Sequence, residues 1–144
     1  MHYSHALMPE PEQAKAFFFG EENGPMVMVN LLKFKDKAEY PADHANAANP
    51  DMTGKQAYAI YGAAVMKCLE MVGGKGLFSA DVTGLILGQV EELWDMVALA
   101  YYPSPQAMMA MVGLPEYQGI EVHRFAGLKG QLNIRTSVNA LPVL

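Results

Sequence analysis

A chain of 144 residues and 15.7 kDa accommodates one domain, long enough to bury roughly two thirds of its unfolded surface, with no room for a second independent core. Its net charge of -5, from 15 acidic against 10 basic side chains, supplies no basic field for a phosphate backbone and excludes nucleic acid as an expected partner. With charged residues at 17% and hydrophobic residues at 51%, the surface is thinly charged for a soluble monomer, so another subunit is expected to cover part of it.

Cys68 is the single cysteine; it has no thiol neighbour for a disulfide, metal or redox motif, which points to a reduced, cytoplasmic setting. No basic segment leading into an apolar core opens the chain, and no apolar run approaches bilayer length, so no membrane association is expected.

Residues 1–24 combine Pro9 and Pro11 with the patch Phe17-Phe18-Phe19 and follow no single period. They read as an arm or short helix ahead of a domain at 25–144. The run from Pro25 to Phe34 is apolar on both faces, as in a central strand covered on both sides. Asn30 interrupts it, and a buried amide must be either a structural tie or a pocket-lining group. The stretch from Ala38 to Met52, rich in Ala, Asn, Asp and Pro, is the nearest approach to a linker.

Thr53 and Gln56 form a capping-box pattern, which predicts a helix from Thr53 to about Met71. Ala57, Ile60, Tyr61, Ala64, Cys68 and Met71 share a stripe suited to packing on a sheet, and Gly73-Gly74 ends the run. A strand is predicted at Lys75 to Ala80, continued or joined by Gly84 to Val90 after a kink at Asp81. Another spans Trp94 to Tyr102, stopped by Pro103. Ser104 then caps a helix with Pro105 at its first position, whose apolar positions are Ala107, Met108, Met111 and Val112. Gly113 to Pro115 break it, and Glu116 to Val122 add a turn or two. The last strand falls between Arg124 and Val138, with a bend bounded by Gly127 and Gly130.

The order strand, helix, strand, strand, helix, strand is that of an α+β, ferredoxin-like split βαβ subunit: an antiparallel sheet with helices on one face. Its other face would be covered by an identical chain, giving a homodimer.

Several segments carry a family resemblance: Val29-Asn30-Leu31-Leu32-Lys33-Phe34, Tyr58 to Tyr61, Gly73-Gly74, Trp94-Asp95, Tyr102-Pro103-Ser104, and Pro115-Glu116-Tyr117-Gln118 followed by His123-Arg124. Together they span about residues 25 to 128, and in this order they resemble the domain-of-unknown-function 1330 family of the dimeric α+β barrel superfamily. The resemblance implies a ferredoxin-like subunit and a dimeric α+β barrel. Related barrels include cofactor-independent monooxygenases, muconolactone isomerase-like enzymes and haem-dependent enzymes, so the fold does not select a chemistry. The N-terminal arm and the long segment before Thr53 depart from a minimal member.

Among the candidate site residues, His123 titrates nearest neutrality and suits proton transfer, or else ends a helix on a backbone carbonyl. Arg124 could hold a carboxylate through its fork of donors, or pair with Asp95, Glu116 or Glu121. Asn30 and Lys33, three apart on a strand, point to opposite faces; Asn30 is the one expected in a cavity, orienting a carbonyl or enolate, with Lys33 reaching solvent. Tyr61 and Tyr102, one phenol from each of the pairs Tyr58/Tyr61 and Tyr101/Tyr102, would line a mostly apolar substrate pocket, or else pack the core with satisfied hydroxyls. The 11 methionines suit either an adaptable cavity or a loose core and dimer contact.

No zinc spacing, phosphate loop or serine elbow occurs, so no metal and no cofactor is implied, and haem would rest on His123 alone. The resulting expectation is a small dimer binding a compact, mostly apolar molecule that bears a carboxylate or carbonyl. Cofactor-independent proton transfer would run through His123, with Arg124 and Asn30 stabilising oxygen charge. The alternatives are a non-catalytic ligand-binding or interaction module and a cofactor-free monooxygenase.

Overall fold

The computed structural model describes residues 2–139; Met1 of the expected arm and residues 140–144 of the expected domain lie outside them. Strand β1 runs over Met26–Phe34, and its alternation sorts the molecule into layers. Met26 and Met28 are 1% and 3% exposed and pack with Tyr61, Cys68 and Leu69 of the long helix, so the even-numbered side of β1 faces the helical layer. Val27, Val29 and Leu31 take the other side.

Helix α2 spans Gly54–Met71, and Thr53 caps it as its spacing predicts. Thr53 Oγ1 accepts from the Gln56 N–H at 3.1 Å, while Gln56 Oε1 accepts from the Thr53 N–H at 2.8 Å, satisfying two otherwise unpaired donors. Its buried stripe is Gly54, Ala57, Tyr61, Cys68 and Leu69. Ile60 and Met71, expected in that stripe, are 39% and 48% exposed: the line through Ala57, Tyr61 and Cys68 leaves them on its flanks. The helix stops where Gly73 turns the chain into the left-handed region at φ +80, a conformation that costs glycine little.

Strand β2, Lys75–Asp81, and strand β3, Met96–Tyr102, form an antiparallel pair. The Gly84 to Val90 segment expected to extend them is not a strand. Leu85, Ile86 and Leu87 are 50%, 95% and 82% exposed on the long turn between them. Although β2 offers a free edge, Gly88 takes the left-handed region at φ +82, which breaks the extended backbone that a ladder needs. The turn is pinned at its end, where the Phe34 N–H donates to Asp95 Oδ2 at 2.8 Å and the Asp95 N–H to the Leu32 carbonyl at 2.8 Å.

Ser104 Oγ accepts from the Ala107 N–H at 3.1 Å and opens α3, Pro105–Val112. Met111 is buried and Met108 packs beside it, but Val112, predicted to be inward, is 43% exposed. Two short helices follow, α4 at Pro115–Gln118 and α5 at Glu121–Gly127, before β4 at Leu128–Ser137. Arg124 to Gly127 is therefore helical where a strand was expected. Gly127 is not a bend: a Cβ there would run into the Gly54 carbonyl and the Tyr58 backbone, so its bareness lets α5 touch α2. The irregularity expected near Gly130 is a register shift opposite Lys33 and Phe34, within one continuous strand.

The four strands lie in the order β2-β3-β1-β4, all antiparallel, which is the ferredoxin-like α+β arrangement. The N-terminal segment contains a short helix, α1 at Pro11–Phe18, and reaches the sheet through a bridge from Ala6 to Gln131. On the side away from the helices, Val29, Leu31, Val97, Leu99 and Tyr101 stay half-buried and Ile134 is 46% exposed. No helix of the described residues is long and apolar enough to cross a membrane.

Candidate functional site

Between the helices and the sheet lies an open cavity of about 1040 Å3. Small residues create it: Ala98 and Ala100 on β3 and Gly76 on β2 lie under Ala59, Gly62 and Ala63 of α2, so neither layer fills the gap. Residues of the N-terminal segment, Leu7 and Phe17 among them, close one side. The walls are mostly apolar with few polar groups, the usual make-up of a small-molecule site.

The polar groups form a chain. Arg124, on α5, donates through Nη1 to the Leu7 carbonyl at 2.8 Å and through Nη2 to Gln131 Oε1 at 2.7 Å. Gln131, 8% exposed, passes the contact on through Nε2 to Asn30 Oδ1 at 2.6 Å. Asn30 in turn donates through Nδ2 to the carbonyls of Ala98 at 3.1 Å and Met28 at 3.4 Å. Three strands and the N-terminal segment thus hold one guanidinium in place. Of its five N–H donors, two are engaged in these bonds.

Arg124 takes part in none of the ion pairs among the described residues. The expected pairing with Asp95, Glu116 or Glu121 does not occur: Asp95 binds Lys33, and Glu121 lines the cavity beyond ion-pair distance. A half-buried cation without a carboxylate, facing an apolar cavity, retains donor capacity for an incoming oxygen anion.

Asn30 lines the cavity, as expected, but both its amide oxygen and its amide nitrogen are committed to the protein. It is a tie that positions Gln131, and through it Arg124, in place of an oxygen-stabilising donor. Lys33 points away from the cavity without being free in solvent: it pairs with Glu92 at 3.0 Å and Asp95 at 3.3 Å and donates to the Leu93 carbonyl at 2.8 Å. The Glu92 hydrogen bond holds its pKa above the ordinary lysine value.

Tyr61 and Tyr102 line the cavity together with Tyr58 and Tyr117. Tyr61 and Tyr117 share a hydroxyl contact at 3.1 Å, and such a pair uses one proton between two oxygens, leaving the second to donate elsewhere. Burial pushes the Tyr58 phenol up to about 12 and lifts those of Tyr61 and Tyr102 well above their ordinary range. These are neutral donors at physiological pH.

His123 does not face this cavity. One residue from Arg124 on a helix turns a side chain by about 100°, and the imidazole meets the segment before α2 instead. Its Nδ1 lies 2.7 Å from the Tyr40 hydroxyl, with the His44 ring 5.7 Å away edge-on. Tyr40 and His44 stack at 4.5 Å, and His44 Nδ1 accepts from the Asn46 N–H at 3.0 Å, capping the 3-10 turn Ala45–Ala48. Burial, then the neighbouring His44, lowers the His123 pKa. His123 and Arg124, expected to act on one ligand, belong to two different environments.

Sequence reasoning passed over Gln131 and Tyr117. Gln131 carried a weaker form of the Asn30 signal, an amide within a strand but between Gly130 and Leu132. Among the described residues no group of three or more His, Cys, Asp or Glu is placed to hold a metal ion.

No family model matches the chain, and no curated protein matches it. Solved structures do. The crystal structure of methylated RPA0582 protein has a TM-score of 0.79 and 29% sequence identity, covering 96% of this chain and 98% of that one. The structure of RPA0582, a protein of unknown function from Rhodopseudomonas palustris, has a TM-score of 0.76 and 30% identity, covering 97% of this chain and 100% of that one.

Proposed function

The chain belongs to the family of the RPA0582 protein of Rhodopseudomonas palustris, and on that footing we propose that it binds a largely apolar small molecule bearing a carboxylate or carbonyl oxygen. The observation that carries this reading is Arg124, held by Leu7 and Gln131, without a carboxylate partner among the described residues and facing the cavity. The ligand's oxygen takes the remaining guanidinium donors and its body lies against Met28, Met108 and Tyr102. The phenols of Tyr58, Tyr61 and Tyr102 supply a second, uncharged place for a polar group. Proton transfer by His123 is not carried into this reading, because its ring faces Tyr40 and His44.

Membership of the domain-of-unknown-function 1330 family is part of the same proposal, as are a reduced, cytoplasmic setting and a homodimer. The homodimer is supported by the sheet face of Val29, Leu31, Val97, Leu99 and Ile134, over which no helix of the described residues lies. In sedimentation the wild type is expected to run as a dimer and Ile134→Glu to run as a monomer; a monomeric wild type would remove the dimer from the proposal.

The binding reading is tested by calorimetric titration of small monocarboxylates, benzoate and hexanoate among them, into wild type and Arg124→Gln. Wild type is expected to bind at least one of them, and the variant at least tenfold more weakly. No binding by the wild type, or equal binding by both, defeats the reading.

A further inference from the structure

The cavity is longer than any head group that Arg124 could hold. Its lining comes from all four strands: Gln131 on β4, Asn30 on β1, Ala98 and Ala100 on β3, and Gly76 on β2. Adjacent strands lie about 4.8 Å apart, so three intervals carry the trough about 14 Å across the sheet. A compact molecule anchored at Arg124 would leave most of it unfilled.

Polarity is distributed unevenly along that trough. At the β4 end stand the Arg124 guanidinium, Gln131, Asn30 and Glu121. At the β2 end Lys55 is the cation, and Asp81 already compensates it at 3.1 Å. Between them the floor is alanine, and much of the remaining wall is thioether, from Met28, Met108 and Met109. Methionine adapts its shape to an apolar guest at low cost. At the far end a Cβ on Gly76 would run into the sulfur and methyl group of Met66, so an unbranched, flexible side chain fills the place of the missing one. Met66 is 44% exposed there, leaving an oily mouth opposite the cationic end.

We infer that the ligand is an extended amphipathic monocarboxylate, its carboxylate on Arg124 and its apolar tail crossing β1 and β3 to Met66. This rests on the reading of Arg124 as the oxygen-binding group and adds the length and one-ended polarity of what it binds. One cation at one end, outside every ion pair among the described residues, matches one charge, and a trough that crosses the whole sheet matches a chain.

The test is a chain-length series, acetate, hexanoate, decanoate and tetradecanoate, with decanol, sebacate and benzoate, titrated calorimetrically into the full chain. The extended chain of decanoate is on the order of that span across the sheet. Affinity is expected to rise by up to roughly fourfold per added methylene as far as decanoate and then to level off. Decanol and sebacate should each bind at least tenfold more weakly than decanoate, one lacking the charge and the other carrying a second charge into the oily end. Met66→Glu, at a position exposed enough to tolerate it, should weaken decanoate at least tenfold while leaving hexanoate unchanged. Ala100→Leu should likewise shorten the optimum.

Affinity that is flat beyond hexanoate, sebacate equal to decanoate, or decanoate binding indifferent to Met66→Glu would each overturn the inference while short or aromatic carboxylates still supported the binding site. Failure of every carboxylate, benzoate included, would overturn both.

Discussion

Arg124 grips the main chain of Leu7 at 2.8 Å, so the cation that faces the cavity also fastens the N-terminal segment over it. Trp94, the only tryptophan, packs beyond that fastening against Tyr3 at 5.2 Å and His5 at 6.1 Å between ring centroids. Arg124→Gln is expected to cost about 1–3 kcal/mol in denaturant unfolding, to raise amide exchange across residues 3–18, and to shift Trp94 emission. Unchanged exchange in that segment would show that Arg124 does not hold it.

Gln131 stands between Arg124 and Asn30 with both ends of its amide bonded. Gln131→Leu strands acceptors and donors on its two neighbours and is expected to destabilise by about 1–3 kcal/mol. In a double-mutant cycle with Asn30→Leu, the coupling should be about 0.5–3 kcal/mol. Additive single effects would mean that the amides do not act as a chain.

Gly127 and Gly54 meet where α5 crosses the start of α2. Gly127→Ala forces a methyl group against a carbonyl and a backbone nitrogen, and overpacking of that kind costs about 1–3 kcal/mol. Thermal unfolding checks it, and an unaltered midpoint would contradict the contact. Thr53→Ala, which removes the cap oxygen of α2, should cost about 1 kcal/mol.

His123 has a pKa below its ordinary 6.5, from burial first and His44 second. The unfolded chain therefore holds more protons than the folded one between the lowered value and 6.5, and stability falls as pH drops through that window. The groups facing His123 are Tyr40 and His44. His123→Gln is expected to flatten the dependence of the melting midpoint on pH below 6.5, read by calorimetry in matched buffers; a slope equal to the wild type would assign the dependence elsewhere.

Locally encoded features were legible in the chain. Thr53 with Gln56, and Ser104 before Pro105, announce helix starts because the donors they satisfy lie within three residues. The opposite facing of Asn30 and Lys33 follows from strand alternation alone. What escaped depends on distant partners. Gly127 looks like a breaker until Gly54 is seen against it. Leu85, Ile86 and Leu87 look like a strand but pair with none. His123 and Arg124 look like one site because they are adjacent in sequence, and the helix they share is what separates them.

Cys68 is 2% exposed within the α2 core, and burial pushes its thiol pKa up. The lone sulfhydryl should therefore ignore iodoacetamide while the protein is intact and be alkylated only when its surroundings part. It is a built-in clock for opening: the rate of labelling at increasing urea reports how often the packed layers come undone, with no added probe.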